Sequence, residues 1–215
     1  MSGSCCEVTD RAFTESEARA EARNYRRNGP PRQTSEILAF IQSLGLQNAS
    51  LLDIGGGVGI IHHELLEDVA NAATHVDASS AYLREARAES ARRGHADRVT
   101  FVHGDFTDVA VDLAPADIVT LDRVVCCYPE HRKLLDAAAR RSRRVLVMSY
   151  PRERWYVRLA LGLLNAFQSL RRDPFRAFLH PTQEIDRVLG DNGMRRVFQR
   201  RFLVWEVAAY ERAVP

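Results

Sequence analysis

The key segment of the chain has the sequence Leu51-Leu52-Asp53-Ile54-Gly55-Gly56-Gly57-Val58-Gly59. Its apolar first half predicts a buried strand, and the glycines that follow predict a turn into a helix near residues 60–69. Glycines let the backbone adopt positive φ angles and approach a ligand closely. The helix that follows offers unpaired N–H groups and the positive end of its dipole. The segment therefore predicts a ligand-binding loop at the carboxyl end of a strand, where open α/β sheets bind their ligands.

Short apolar runs alternate with amphipathic stretches on the carboxyl side of this loop. Strands are predicted at residues 50–54, 73–76, 98–103, 117–121 and 144–149, and helices near residues 60–69, 78–93 and 130–140. Strands that alternate with helices form βαβ units with right-handed crossovers. This pattern predicts an α/β fold with a doubly wound, mostly parallel sheet and helices on both faces.

The C-terminal part departs from this alternation. Two apolar runs, at residues 195–199 and 202–210, are too close together for a crossover helix between them. They should therefore pair as an antiparallel hairpin. With the five earlier strands, the sequence predicts a seven-stranded sheet that is mostly parallel and ends in a C-terminal antiparallel hairpin.

Helical segments flank the strands at both ends. Helices are predicted near residues 10–27, 33–43, 152–170 and 182–191, with a break at residues 28–31 (Asn-Gly-Pro-Pro). We predict an N-terminal helical extension or lid at residues 1–47 and a main domain at residues 48–215. Within the main domain, residues 152–193 form a helical insertion and a candidate cap over the substrate.

The composition is that of an ordinary globular domain, with 215 residues of which 46% are hydrophobic and 27% charged. A net charge of +2 argues against a dedicated nucleic-acid binder. The cysteines form two adjacent pairs, Cys5-Cys6 and Cys126-Cys127, without zinc or disulfide spacing, which indicates reduced thiols. There is no basic-then-apolar leader, and the apolar run at residues 159–170 is too short to span a bilayer. We therefore expect a cytoplasmic protein without a transmembrane segment.

The spacing of the glycines argues against a dinucleotide site. Gly55, Gly57 and Gly59 follow a G-x-G-x-G pattern, whereas the dinucleotide fingerprint is G-x-G-x-x-G and position 60 is isoleucine. Asp77 ends the second strand, where a carboxylate can accept hydrogen bonds from ribose hydroxyls. Nicotinamide-dependent enzymes also use such an acid, so Asp77 by itself leaves an oxidoreductase open.

The third strand ends in His103-Gly104-Asp105-Phe106. An Asp there can accept a hydrogen bond from an adenine amino group, and a neighbouring Phe can pack against the ring. The strings LLDIGGGVG, HVD and HGDF together resemble the successive signature motifs of class I S-adenosylmethionine-dependent methyltransferases over residues 50–150. The C-terminal hairpin is similar to the Rossmann-like fold of that family. The resemblance implies S-adenosylmethionine as cofactor and S-adenosylhomocysteine as product.

The same resemblance implies which residues bind the cofactor. The glycine loop would hold the methionine part, Asp77 the ribose, and Asp105 with Phe106 the adenine. The N-terminal helix, a common lid in the family, would contribute Tyr25 and an arginine for the cofactor's carboxylate. The implied cofactor-binding set is Tyr25, Asp53, Gly55, Gly56, Gly57, Gly59, Asp77, Ala78, Gly104, Asp105 and Phe106.

The run LDRVVCCYP at residues 121–129 follows the fourth strand and should face the transferred methyl group. An in-line displacement needs an aligned acceptor more than it needs an acid or a base. Asp122, Arg123 and Tyr128 are the candidate acceptor contacts, although Asp122 and Arg123 equally well form an ion pair that holds the loop. His180 is the candidate base. These four residues are the candidate catalytic set.

Motifs that are absent narrow the acceptor. The chain lacks the Asn/Asp-Pro-Pro-Tyr/Phe motif of many amino-group methyltransferases and the Pro-Cys motif of DNA cytosine methyltransferases. It shows no spacing typical of metal ligands, and residues 62–64 (His-His-Glu) are interpreted as a helix-surface or packing feature. The run at residues 121–129 resembles a bacterial small-molecule subgroup and, less closely, the methyltransferase that acts on magnesium protoporphyrin. We therefore predict a small-molecule acceptor, no nucleic-acid partner and no metal.

Three points stay open in the sequence. The apolar helix near residues 152–170 carries arginines at both ends and is interpreted first as an acceptor cap, then as a homodimer surface, and last as a membrane contact. A methyltransferase-like module that binds cofactor without turnover would show the same motifs. An NAD-dependent oxidoreductase is the less favoured third function.

Overall fold

The computed structural model describes Asp10, residues 13–171, Asp173 and residues 175–213. Within these residues the helices and strands follow one another in this order: α1 (Glu15–Asn28), α2 (Arg32–Ser43), β1 (Ala49–Ile54), α3 (Ile60–Asp68), β2 (Ala70–Asp77), α4 (Ser80–Arg93), β3 (Val99–His103), α5 (Phe106–Val109), β4 (Ala116–Asp122), α6 (His131–Arg141), β5 (Ser142–Pro151), α7 (Trp155–Leu170), α8 (Thr182–Asp191), β6 (Met194–Arg201) and β7 (Trp205–Arg212). Short 3₁₀ turns lie at Ala96–Arg98, Ala110–Asp112 and Val125–Cys127. The Cys5-Cys6 pair lies outside the described residues.

The strands form a single seven-stranded sheet in the order β3-β2-β1-β4-β5-β7-β6. The first five strands are parallel, and β7 runs antiparallel to both β5 and β6. The predicted seven-stranded, mostly parallel sheet with a C-terminal antiparallel hairpin is confirmed. From β1 the strand order runs outward to β2 and β3 on one side and to β4 and β5 on the other. The order therefore reverses between the neighbouring parallel strands β1 and β4. In open α/β sheets the crevice beyond the carboxyl ends of two such strands is the usual ligand site.

Several strand boundaries differ from the prediction by one to three residues, and the start of β2 shows the reason. β2 begins at Ala70 rather than at residue 73, because its backbone already pairs with β1 from Ala49–Ala70 onward. Asn71 and Ala72 are exposed on this edge, so they contribute no apolar signal to the sequence pattern. Backbone pairing, rather than side-chain burial, forms the start of this strand.

The sheet has an apolar cluster on each face. Leu51 and Leu52 are neighbours in β1 but belong to opposite clusters, and so do Ile118 and Val119 in β4. Successive side chains of a strand point to opposite faces, so strands buried on both faces appear as continuous apolar runs. Helices α2 and α3 cover one face, and α6 and α8 cover the other. The two layers hold the carboxyl ends of the strands in fixed positions.

Helix α1 lies outside these two layers and packs on α4. It begins with a capping box in which Thr14 and Glu17 satisfy each other's backbone N–H groups. Ala18, Ala22 and Tyr25 form its buried face. This placement brings the amino end of α1 to the carboxyl edge of the sheet.

Candidate functional site

The glycine loop after β1 has a backbone conformation that other residues adopt only with strain. Gly55, Gly57 and Gly59 have φ angles of +60°, +57° and +87°. A Cβ added to Gly55 would lie 2.5 Å from Cγ2 of Val124, and one added to Gly59 would lie 2.3 Å from Cε1 of His62. The glycine loop therefore passes close to α3 and to the loop after β4 (residues 123–130), which we call the β4 loop. This close approach excludes side chains at Gly55 and Gly59.

Asp77 connects this loop to the end of β2. The N–H of Gly57 donates to Oδ2 of Asp77 at 2.9 Å, and the N–H of Ser79 donates to Oδ1 at 2.8 Å. Burial raises the pKa of Asp77 to about 6, although these two hydrogen bonds act in the opposite direction. Each oxygen of the carboxylate accepts one of these N–H groups and has capacity for another. Asp77 can therefore accept further hydrogen bonds from a ligand.

Asp53 lies beneath the glycine loop and is 1% exposed. Its Oδ1 accepts a hydrogen bond from the Thr120 hydroxyl at 2.8 Å, and its Oδ2 lies 3.2 Å from Nδ1 of His62. Burial by itself would raise the pKa of Asp53, but the contacts with His62, His75 and Thr120 lower it. Asp53 therefore supports the loop from beneath and does not line the ligand cavity.

His62 and His75 are buried against Asp53, and His63 is buried beside His62. The packing interpretation of the His-His pair is therefore the one that the burial supports, and the helix-surface interpretation is wrong. Nδ1 of His75 lies 3.1 Å from Nδ1 of His62. Donor atoms of Asp53, His62 and His75 lie within 4.8 Å of one another, so among the described residues this trio could hold a metal ion. The fold brings these residues together from three elements, so sequence spacing gave no sign of it.

The motif residues that follow β3 have two different roles. Gly104 and Phe106 face the ligand cavity. Asp105 instead caps α5, where it accepts hydrogen bonds from the N–H of Thr107 at 2.8 Å and from the Tyr128 hydroxyl at 3.0 Å. The carboxylate of Asp105 thus ties the β3 loop to the β4 loop from behind the cavity wall.

Asp122 and Arg123 lie at the end of β4 and face the cavity. Oδ2 of Asp122 accepts a hydrogen bond from Thr34 at 2.6 Å, and Ser149 donates to its Oδ1. Arg123 has a φ of +62°, and its N–H donates to the Ser149 hydroxyl at 2.9 Å. Non-glycine residues in this region of φ are strained and concentrate at functional sites.

The Arg123 guanidinium joins the β4 loop to α1. It donates to Glu21 at 3.1 Å, and its Nε lies 3.7 Å from Oδ2 of Asp122. The ion pair between Asp122 and Arg123 therefore exists, and both partners still line the cavity. The Tyr82 hydroxyl donates to the same Glu21 at 2.8 Å. Glu21 is the residue through which α1, α4 and the β4 loop meet.

Tyr128 and His180 are placed differently from each other. Tyr128 lines the cavity, whereas His180 stacks on His131 with ring centroids 3.8 Å apart. Nε2 of His180 lies 2.9 Å from the carbonyl oxygen of Tyr128. Burial and the neighbouring His131 lower the pKa of His180. This geometry makes His180 a support for the backbone of the β4 loop.

Tyr25 and Arg26 face away from the cavity. The Tyr25 hydroxyl donates to Glu64 at 2.5 Å, and Arg26 donates to Glu89 at 3.2 Å. The contribution of α1 to the cavity comes instead from Glu21 and from Phe13, just before the helix. Phe13 packs edge-to-face on Tyr82 with centroids 5.7 Å apart. Sequence reasoning missed Phe13, Glu21 and Tyr82, because only tertiary packing brings them to the motifs.

These elements enclose one continuous cavity, which we call the carboxyl-edge pocket. Its wall consists of Phe13, Glu21, Ile54, Gly55, Gly57, Val76, Asp77, Ala78, Tyr82, Gly104, Phe106, Asp122, Arg123, Val124, Cys127 and Tyr128. The predicted residues that lie behind or beside this wall are Tyr25, Asp53, Gly56, Gly59, Asp105 and His180. The pocket thus joins the ends of β1, β2 and β3 to the end of β4, as the topology predicts.

Comparison with known proteins identifies the central part of the chain. Residues 51–147 match the family model described as a methyltransferase domain. No match was found among curated proteins.

The fold is shared with solved methyltransferase structures. Magnesium protoporphyrin IX methyltransferase from Synechocystis PCC 6803 with bound S-adenosylhomocysteine is 21% identical, with 97% of this chain and 100% of that chain covered and a TM-score of 0.76. The same protein with bound S-adenosylmethionine is 19% identical, with 99% of each chain covered and a TM-score of 0.74. A putative RNA methyltransferase from Pyrococcus horikoshii is 14% identical, with 84% of each chain covered and a TM-score of 0.62. Residues 51–147 are therefore similar to a methyltransferase domain, and the chain shares the fold of these solved methyltransferase structures.

Proposed function

We propose that this protein transfers a methyl group from S-adenosylmethionine to a small-molecule acceptor by in-line displacement. The observation that carries the proposal is the continuity of the carboxyl-edge pocket, which runs from Asp77 at the end of β2 and Phe106 after β3 to Asp122 and Arg123 at the end of β4. A cofactor held at the first end would direct its methyl group toward the second.

The residues of the first end fit the cofactor. Gly55 and Gly57 line this end without side chains, and Asp77 supplies a buried carboxylate at the ribose position. Phe106 offers an apolar surface to an adenine ring. When bound, the cofactor supplies an electrophilic methyl group on a sulfonium.

The residues of the second end position an acceptor. Thr34 and Ser149 hold the Asp122 carboxylate, and Glu21 holds the Arg123 guanidinium. Both charged groups therefore present fixed hydrogen-bonding atoms to the pocket. Fixed orientation is the main requirement of an in-line displacement, so we assign these residues to acceptor binding rather than to proton transfer.

A small molecule fits this pocket better than a nucleic acid. The described wall carries three carboxylates, Glu21, Asp77 and Asp122, against the single cation Arg123, and this excess of negative charge repels a phosphate backbone. The net charge of +2 provides little attraction for a polyanion. We further infer that residues 1–47 form a lid through α1, and that residues 175–181 form a side wall near the β4 loop. The N–H of Phe178 donates to the carbonyl oxygen of Cys126 at 2.8 Å, which supports the second assignment.

Cofactor binding is tested by thermal shift with S-adenosylmethionine and S-adenosylhomocysteine. We expect stabilisation by both ligands. In Asp77→Ala the Kd should rise about 10- to 150-fold, the worth of a charge-assisted hydrogen bond. Asp112→Ala removes an exposed carboxylate and should bind as the unmodified protein does. Equal shifts in Asp77→Ala and the unmodified protein would contradict the proposed cofactor site, and a shift with NAD alone would favour an oxidoreductase.

Turnover is tested by release of S-adenosylhomocysteine over a panel of small acceptors. Arg123→Ala should reduce release while it leaves cofactor affinity within about twofold, because the guanidinium lies at the acceptor end. Tight cofactor binding with no release over the whole panel would favour a module that binds cofactor without turnover.

A further inference from the structure

Helix α7 is attached to the rest of the protein along one narrow stripe. Val157 is its one fully buried side chain, and Leu161 and Asn165 are half-buried on the same side. Asn165 exchanges two hydrogen bonds with the backbone of Ala177, at 2.8 and 2.9 Å. These contacts define which face of α7 meets the protein.

The opposite face of α7 is apolar and exposed. An α-helix turns by about 100° per residue, so residues 155, 159, 163 and 170 fall within an arc of about 80°. The exposed fractions of these residues are 75% for Trp155, 56% for Leu159, 64% for Leu163 and 83% for Leu170. Surface helices normally direct the apolar face to the core and the polar face to water. The outer face of α7 is apolar instead of polar, and this exposed apolar area marks it as a contact surface.

The turn between β6 and β7 extends this apolar surface. Leu203 and Val204 are exposed at the turn. The Tyr156 hydroxyl donates to the carbonyl oxygen of Leu203 at 2.8 Å. The N–H of Arg152 donates to the carbonyl oxygen of Val204 at 2.8 Å. The turn is thus fixed against the amino end of α7, and together they form one patch, which we call the α7 patch.

Cations surround the α7 patch. Arg154 and Arg158 are exposed at the amino end of α7, and Arg171 is exposed at its carboxyl end. Arg154 occupies the N-cap, where the helix dipole disfavours a positive charge, so the stability of the helix does not account for it. The neighbouring acid, Glu153, accepts a hydrogen bond from the N–H of Thr182. An apolar surface bordered by arginines matches a layer of anionic headgroups above acyl chains.

We propose that the α7 patch docks this protein on a lipid surface that carries anionic headgroups. α7 has 16 residues and would lie in the plane of the interface, with Trp155 and the leucines among the acyl chains and the arginines among the headgroups. The proposal concerns a surface separate from the carboxyl-edge pocket, whose described wall contains no residue of α7. The role of residues 152–193 as an acceptor cap stays a prediction.

A second copy of this chain fits the α7 patch less well. An antiparallel pair of α7 helices would place Arg158 of one copy near Arg171 of the other. Like charges brought together at an interface cost several kcal/mol, whereas anionic headgroups would neutralise them. The membrane contact, which the sequence analysis ranked last, is therefore the occupant that the charges favour. None of the described helices is long and apolar enough to cross a membrane.

The test is flotation of the full chain with vesicles of phosphatidylcholine alone or mixed with phosphatidylglycerol. We expect binding to the mixed vesicles and at least about tenfold weaker binding to neutral ones, with loss at high salt. Leu159→Glu with Leu163→Glu should reduce binding to the mixed vesicles at least about tenfold. Val111→Glu is the matched control, because Val111 is an equally exposed apolar residue elsewhere and its replacement should leave binding unchanged.

Two further readouts separate the outcomes. Arg154→Glu with Arg158→Glu should lose the preference for anionic vesicles, and all variants should keep the thermal shift with S-adenosylhomocysteine, which reports an intact fold and pocket. Equal binding to both vesicle types would overturn the role of the anionic headgroups. Absence of vesicle binding, together with a dimer that Leu159→Glu and Leu163→Glu convert to monomer, would overturn the proposal in favour of a second copy.

Discussion

The two ends of the carboxyl-edge pocket are built in different ways. At the proposed cofactor end, the partners of Asp77 lie 2 and 20 positions away, at Ser79 and Gly57. At the acceptor end partners lie far apart: Thr34 and Asp122 are separated by 88 positions, and Glu21 and Arg123 by 102. The cofactor end therefore depends on local backbone conformation, whereas the acceptor end depends on how α1 and α2 pack. Substitutions at the two ends should consequently have different effects.

The largest effect is expected at the glycine loop. Gly55→Ala adds a Cβ 2.5 Å from Val124 at a φ of +60°, so we expect a loss of about 2–5 kcal/mol in the free energy of unfolding from strain and overpacking. Urea denaturation measures this loss. Gly162→Ala is the matched control, since its Cβ would meet nothing within 4 Å, and it should stabilise α7 by about 0.5–1 kcal/mol. Equal effects at both glycines would show that the close approach at Gly55 is not structural.

Acid should act through the histidines beneath the loop. Burial and the neighbouring His62 lower the pKa of His75 to about 3. A histidine whose pKa is lower in the folded state than its usual value of about 6.5 binds fewer protons when folded. Stability should therefore fall as the pH decreases from about 6.5 toward 3, with a slope of up to about 1.4 kcal/mol per pH unit.

Denaturation curves at several pH values measure that slope. His75→Asn should make it shallower, whereas His103→Asn, at the exposed end of β3, should leave it unchanged. A slope that is unaffected by His75→Asn would mean that other groups cause the acid sensitivity.

At the acceptor end the expected effect is smaller and leaves the cofactor end intact. Thr34→Val removes the hydroxyl that donates to Asp122, and we expect a loss of about 1–3 kcal/mol in unfolding free energy because a buried acceptor loses a partner. The Kd for S-adenosylhomocysteine should change by less than about twofold. Ser35→Ala, which removes an exposed hydroxyl of the same helix, is the control. A large change of cofactor affinity in Thr34→Val would show that the two ends are coupled.

The smallest effect concerns the protonation of Asp77. Burial raises the pKa of this carboxyl to about 6, so the group that should accept ribose hydroxyls becomes protonated just below neutral pH. Affinity for S-adenosylhomocysteine should fall about tenfold between pH 7 and pH 5. The effect of Asp77 on stability has the opposite sign from that of His75, because a raised pKa makes the folded state bind more protons as the pH falls below 6. Calorimetric titration measures the affinity, and Asp77→Asn should remove its pH dependence.

The sequence motifs that end β1, β2 and β3 supply part of the pocket wall. Gly55, Gly57, Asp77 and Phe106 were predicted and lie in the pocket wall. The acids Asp53 and Asp105 belong to the same motifs but support the wall from behind, because each is turned toward a buried hydroxyl or amide partner. A motif specifies where its backbone runs, and the direction of a given side chain depends on its neighbours in space.

The structure places the site residues predicted from distant segments outside the pocket wall. Tyr25 was expected to contact the cofactor, but a hydrogen bond to Glu64 turns it away, and Phe13 and Glu21 occupy the pocket instead. His180 was the candidate base, and its stacking on His131 places it behind the β4 loop. A pattern along one helix shows which residues share a face, but not which other helix that face meets.

The sequence by itself determined the order of strands and helices, the mostly parallel sheet with its terminal hairpin, and the glycine loop at the sheet's carboxyl edge. These features follow from periodicity and from backbone constraints that act between near neighbours. Only the tertiary structure decided that Glu21 meets Arg123, that His62 and His75 converge on Asp53, and that the apolar face of α7 points outward. Contacts between segments that are distant in sequence arise from the packing of whole elements, and no local pattern encodes that packing.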